Sequence, residues 1–181
     1  MSETDPILKQ PSEVDLRMMS LALEQARQAA ALGEVPVGAV IYRGEEILAQ
    51  AFNLRESQRD PTAHAEILAL RQAARKLASW RMEGCSIAVT LEPCPMCAGA
   101  LVNGRMERLI YGAPDPKMGA VRSLYELCSE PRFNHQMTVI AGVQSESCAA
   151  LLQTFFRARR GPDKPLKPVP DSNIQQTNSN E

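Results

Sequence analysis

The sequence predicts an α/β fold in three layers, with helices on both faces of a mixed sheet. Short apolar runs rich in Val, Ile and Ala alternate with longer stretches of helical periodicity along most of the chain. The first two such runs are separated by only three residues, "RGE", so they should pair as an antiparallel hairpin. The later runs are separated by helical stretches, which predicts parallel pairing there. The chain of 181 residues is long enough for one domain with a full core.

Taken in order, "PSEVDLRMMSLALEQARQAAALGE" predicts the first helix, with Ser12 as cap, Asp15 in the first turn and Gly33 as the stop. Leu16, Met19, Leu23, Ala26 and Ala30 recur at helical spacing and should face the core. "VPVGAVIY" and "EILAQAF" are the hairpin strands, and "NLRESQRDP" is a polar loop. In "TAHAEILALRQAARKLA" a second helix places Ile67, Leu70, Ala74 and Leu77 on one face. "CSIAVTLE" is a strand, and "CPMCAGALVN" a helix that Asn103 and Gly104 can end. "RLIYGA" is a strand, "PDPKMGA" a loop and "VRSLYELCS" a short helix. "QMTVIAGV" is the last strand and "SESCAALLQTFFRARR" the last long helix. Residues 1–12 read as an N-terminal extension, and residues 13–160 as the folded domain. Residues 161–181, rich in Pro and polar side chains, have little to bury and are expected to be disordered.

Composition narrows the class. Net charge is −1 and the sequence pI about 6.2, so nothing in the whole-chain balance demands a polyanion, although a local basic patch would escape that sum. Aromatic residues make up 4%, so aliphatic side chains must fill the interior. No apolar run approaches the roughly 20 residues needed to cross a bilayer. The polar, acidic start lacks the form of a secretory signal. Five irregularly spaced cysteines without such a signal suggest reduced thiols or metal ligands, and a cytoplasmic protein.

Two stretches carry chemistry. "HAE" places His64 and Glu66 at a helix start, and "PCPMC" places Cys94 and Cys97 at another. A C-x-x-C pair alone could be a redox couple, half of a zinc site or a coincidence. A helix N-terminus favours thiolate under each of the first two readings. No second C-x-x-C exists, and the only other histidine is His135. Two thiolates and one imidazole give three ligands, which leaves a tetrahedral zinc one position for water, the pattern of a catalytic site. Zinc lowers the pKa of that water to about 7, so hydroxide is available at neutral pH. A lone His64 or Glu66 would be ordinary. Beside such a metal, however, a carboxylate can take the proton of the water and return it to a ring nitrogen and a leaving amine.

H-x-E followed by P-C-x-x-C is the signature of zinc nucleobase deaminases, with tRNA adenosine deaminases among them. "EVPVGAV", "RDPTAHAEILALR", "VTLEPCPMCAGA", "LIYGAPDPKMGA", "FNH" and "LLQTFFRARR" extend the likeness. The chain resembles the bacterial tRNA-specific adenosine deaminases from about residue 15 to 160. The resemblance implies a cytidine-deaminase-like fold with a five-stranded sheet and a homodimer. It also implies one zinc ion per subunit on His64, Cys94 and Cys97, with Glu66 as proton shuttle. The implied substrate is the wobble adenosine of a tRNA anticodon stem-loop, in an arginine tRNA with anticodon ACG. Asn53, Asp115 and Asn134 would then approach the nucleotide or the RNA. Phe156 and an arginine of the last helix, taken as Arg159, would face the anticodon loop.

Each of these residues also has a plainer role. Asn53 could be a turn former, Asp115 and Lys117 a solvated turn, and Asn134 and His135 a loop pair. Phe155 and Phe156 could be core, and terminal arginines complement a helix dipole. Asp60-Pro61-Thr62 is expected to turn the chain and cap the His64 helix. Cys85, Cys128 and Cys148 are expected to be buried thiols, and Trp80 a packing residue. Two positions depart from the family habit: Gln136 where a basic residue is usual, and Arg122 where small residues are usual. Rival readings are a deaminase of free guanine or cytosine, a C-x-x-C thiol–disulfide protein and a catalytically silent RNA-binding subunit. Steep salt dependence of RNA binding separates the first rival, metal analysis the second, and the presence of Glu66 speaks against the third.

Overall fold

The computed structural model describes residues 10–160. The expected extension up to residue 9 and the expected tail from 161 lie outside the described residues. Helix α1 spans Glu13–Ala31 and starts as the sequence requires. Ser12 Oγ accepts from the Asp15 N–H at 3.1 Å, and Asp15 Oδ2 accepts from the Ser12 N–H at 2.9 Å. Strands β1 (Gly38–Arg43) and β2 (Glu46–Phe52) form the antiparallel hairpin. The polar loop that follows contains a single helical turn, α2 (Arg55–Gln58). Helix α3 (Ala65–Leu77) leads to β3 (Ser86–Leu91), α4 (Pro95–Asn103), β4 (Arg108–Ala113), β5 (Thr138–Ala141) and α5 (Ser145–Arg160).

The sheet has the order β2-β1-β3-β4-β5. Strand β1 is antiparallel to both its neighbours, whereas β3–β4 and β4–β5 are parallel. Alternation along each strand feeds two apolar layers. Ala39, Ile41, Ile87, Val89 and Leu109 join α3 and α4 on one face. Val40, Tyr42, Ala88 and Ile110 join α1 and α5 on the other. A Cβ on Gly38 would overlap the backbone of α1 at Ala22 and Ala26, so the absence of a side chain there permits the close helix–strand approach.

Four sequence expectations change. On α1 the buried stripe runs through Met18, Met19, Ala22, Leu23, Ala26 and Ala29, leaving Leu16 42% exposed and Ala30 only half-buried. The stripe is turned because Asp15 itself points inward, to Tyr42 and Arg108. On α3 the buried stripe is Ala65, Glu66, Ala69 and Ala73, with Ile67, Leu70, Ala74 and Leu77 at its margins. Small residues let that helix lie close to the sheet. Further along, residues 121–123 form a turn and 124–126 an irregular stretch, with only a 3-10 turn at Leu127–Ser129, instead of the expected short helix. Trp80 is 59% exposed beneath the Arg81 guanidinium, 4.6 Å from its ring centre, and is not a core residue.

Candidate active site

His64 and Cys94 occupy the same local position on different helices. Each is the N-cap residue of its helix, extended in backbone, and neither side chain caps. Pro95 follows Cys94 at a position where its missing N–H costs nothing. The approach to His64 is stiffened by Asp60, whose Oδ1 accepts from both the N–H and the hydroxyl of Thr62 at 2.7 Å. The expected turn at 60–62 is present, but it does not cap α3: the Asp60 carboxylate bonds to Thr62, and the N-cap position belongs to His64, whose side chain makes no capping bond.

With capping unused, the imidazole and the two sulfurs converge. His64 Nδ1 lies 3.8 Å from Cys94 Sγ and 3.5 Å from Cys97 Sγ. All three donor atoms lie within 4.8 Å of one another. A tetrahedral zinc with ordinary Zn–S and Zn–N bonds would separate such donors by about 3.5–3.8 Å. The donor set therefore fits a thiophilic divalent ion in spacing and in softness. The Cys97 thiol donates to Cys94 and His64 sits beside it, so the Cys94 thiol is brought down to about 4 despite burial. Cys97 is pushed up by the neighbouring Cys94 sulfur and by burial, and Cys94 raises His64 in turn. Among the described residues the group of candidate ligands is these three side chains. His135 stands apart, its Nε2 2.6 Å from the carbonyl oxygen of Met106.

Glu66 is 4% exposed and belongs to the first turn of α3. Burial pushes its carboxyl upward, and the Cys94 thiolate adds to that, while His64 and Cys97 act in the opposite sense. Above these groups opens a cleft whose walls include Val37, Asn53, Arg55, Leu91, Asp115 and Met118. His64, Glu66 and Cys94 form part of its lining. Of the residues expected to approach the nucleotide, Asn53 and Asp115 thus share the cleft with the candidate ligands.

Asn134, Phe156 and Arg159 are not among the residues that line it. Asn134 is exposed and its Oδ1 accepts from Arg105 at 2.8 Å. Phe156 is 37% exposed and meets Phe155 edge to face at 5.4 Å. The Arg159 guanidinium stacks 4.7 Å from the Phe155 ring centre and donates to the carbonyl oxygen of Gly33. Cys85, Cys128 and Cys148 are free and buried, as expected.

Two residues without a motif of their own shape the cleft. Glu92, 2% exposed, accepts from the N–H groups of Asp115 (3.0 Å), Val121 (3.1 Å), Arg122 (2.7 Å) and Ser123 (2.9 Å), and from the Ser123 hydroxyl. A Cβ on Gly119 would strike this carboxylate. The chain after β4 curls around Glu92 in place of the expected helix, and this presents Asp115 and Met118. Glu34, fully buried between α1 and β1, does the same for the segment that carries Asn53. The available signal was a carboxylate at each edge of an apolar strand run, "GEVPV" and "VTLEP", where burial requires several N–H partners.

A five-stranded α/β/α sandwich with this His, Glu and paired-Cys cleft defines a deaminase of the cytidine-deaminase-like fold. The family model for MafB19-like deaminases matches residues 13–160. The tRNA-specific adenosine deaminase of Bacillus subtilis is 49% identical over 142 residues, covering 78% of this chain and 88% of the relative. That of Haemophilus influenzae is 47% identical over 150 residues, covering 82% and 87%. A solved structure from work on A-to-I editing by tRNA:A34 deaminases at the wobble position matches with a TM-score of 0.72 and 42% identity. That match covers 75% of this chain and 99% of the other. The chain belongs to the tRNA-specific adenosine deaminase family.

Proposed function

We propose that this protein deaminates the wobble adenosine of tRNA anticodon loops to inosine by hydrolysis, with an ACG-anticodon arginine tRNA as substrate. The observation that carries the reading is the buried Glu66 carboxylate beside His64, Cys94 and Cys97 at the base of one cleft. Family membership supports the same substrate. His64, Cys94 and Cys97 would hold one zinc ion per subunit. When bound, zinc supplies Lewis acidity and an activated water.

The remaining chemistry belongs to the side chains. Glu66 takes a proton from the attacking water and passes it to the ring nitrogen next to the carbon under attack. It then takes the remaining proton from the newly added hydroxyl, which becomes the carbonyl of the product, and gives it to the amine that departs as ammonia. Asn53 and Asp115, both in the cleft lining, orient the flipped nucleotide. The apolar Val37, Leu91 and Met118 give the base a dry contact surface. Residues 13–160 form the deaminase unit, between an N-terminal extension and a C-terminal tail. Asn134, Phe156 and Arg159, which lie outside the cleft lining, would contact the RNA beyond the reacting nucleotide. We infer a cytoplasmic homodimer, which the exposed Met118, Leu124, Tyr125 and Phe133 of the 117–133 stretch would suit. Among the described residues no helix is long and apolar enough to cross a membrane.

The test is incubation of the zinc-loaded protein with the ACG tRNA, followed by sequencing of the wobble position. Inosine should form with the native protein. Glu66→Ala should lower turnover by roughly 100-fold or more while zinc content is unchanged. Absence of inosine with zinc bound would remove the substrate assignment. Undiminished turnover in the variant would remove the proton-transfer role.

A further inference from the structure

We propose that Glu34 is a positioning residue that fixes which end of the Asn53 amide faces the cleft, and so helps to determine specificity. This builds on the deaminase reading above. Glu34 is 0% exposed and sits where α1 gives way to β1. A carboxylate there is tolerated only if N–H donors surround it. Three do, and all come from one segment about twenty residues on. Oε2 accepts from Asn53 Nδ2 at 3.1 Å and from the Glu56 N–H at 3.2 Å. Oε1 accepts from the Ser57 N–H at 2.6 Å.

Asn53 itself is 7% exposed and lines the cleft with His64 and Glu66. Its backbone is pinned separately, by its own N–H to Val37 O at 3.0 Å and by the Leu54 N–H to Ala63 O at 3.0 Å. What backbone pinning leaves open is the amide. Its oxygen and nitrogen ends have nearly the same shape, so packing alone barely distinguishes them. An ionised carboxylate distinguishes them completely, because it can only accept. The nitrogen must face Glu34, since the reverse would set Oδ1 against Oε2. Burial pushes the Glu34 carboxyl up, but the Ser57 and Glu56 donors and the nearby Arg159 guanidinium hold it below its usual range.

The ligand therefore meets a fixed pattern: Oδ1 and the second Nδ2 hydrogen. A freely flipping amide would accommodate either a donor or an acceptor at the same place on a base or sugar, and the anchored one does not. The same carboxylate holds the N–H groups of α2, whose first residue, Arg55, also borders the cleft.

The experiment has two arms. In the first, the side-chain amide of Asn53 is observed by nitrogen-15 NMR in the native protein, with Asn53→Ala to assign it. One of the two Nδ2 hydrogens should be shifted and protected from solvent exchange; Glu34→Gln, left with one acceptor oxygen for three donors, should weaken that protection, and Glu34→Ala should abolish it. An amide that exchanges as freely as an exposed one overturns the proposal. This arm needs no activity, so it stands even if the tRNA reading fails, and the native spectrum decides if Glu34→Gln does not fold. In the second arm, kcat/KM for the anticodon stem-loop is measured in a double-mutant cycle. Glu34→Gln should cost roughly 10- to 100-fold with Asn53 present and less than about 3-fold in the Asn53→Ala background. Equal losses in both backgrounds would mean that Glu34 acts on folding or on α2 alone, and would overturn the proposal.

Discussion

Single carboxylates have opposite fates in this protein according to their donors. Asp15 is 0% exposed and accepts from the Tyr42 hydroxyl at 2.5 Å, from Arg108 at 2.7 Å and from the Ser12 N–H. Burial pushes its carboxyl up, but Arg108, Tyr42 and Ser12 outweigh that and hold it below the ordinary value of 3.8. A depressed native value means that the contribution is complete above the ordinary value and is lost as pH falls through the native one. We expect Asp15→Asn to cost about 2 kcal/mol at neutral pH, less than for a fully enclosed pair because Arg108 keeps 30% of its side chain exposed. Urea midpoints of the two proteins should converge as the pH drops below about 4, and a gap that stayed constant would contradict the assignment. Residue roles were legible in the sequence where they are local. His64 and Glu66 are two apart, and Cys94 and Cys97 three apart, so one turn of helix sets their geometry. Glu34 and Glu92 were not legible, because their donors come from segments 19–31 residues away.

Elements followed their periodicity wherever that periodicity was the dominant local force. All five strands and the four long helices arise within a few residues of the expected spans, because alternation and helical spacing are properties of short windows. The face of α3 was misread because its largest side chains lie at the margins and its alanines face the sheet. The stretch 121–129 was misread because its N–H groups answer to Glu92, which lies in a different element. That dependence is testable. Glu92→Gln removes acceptor capacity that at least four backbone donors share, and should cost about 1–3 kcal/mol. Hydrogen exchange at Asp115, Val121, Arg122 and Ser123 should rise by an order of magnitude or more, while the strands stay protected. Exchange unchanged in this segment would show that something else holds it.

The whole molecule is two apolar layers on one sheet, with the chemical groups gathered at one end of the strands. The donors belong to two helices, α3 and α4, that already touch within one apolar layer, and a bound ion would tie their N-terminal ends together. Ligand binding to the native state alone stabilises by mass action. Stripping zinc with a chelator under reducing conditions should lower the melting temperature by roughly 5–10 °C relative to protein in free zinc at about 100 times its Kd. Cys94→Ser should melt at the same temperature with and without zinc. An equal zinc response in both proteins would place the stabilising ion elsewhere.

The side chains able to hold a metal also come from opposite sides of a seam, the antiparallel contact between β1 and β3. Thirty residues separate His64 from Cys94, and the imidazole reaches the sulfurs only when that seam closes. The two sulfurs, by contrast, can grip an ion as soon as the first turn of α4 winds. If an ion binds here, a newly made chain is expected to take it up on the two sulfurs before synthesis is finished, with complete ligation reporting that the two halves have joined. Refolding in cobalt(II) should give an early rise in thiolate–metal absorption followed by a slower change, and His64→Ala should retain only the first.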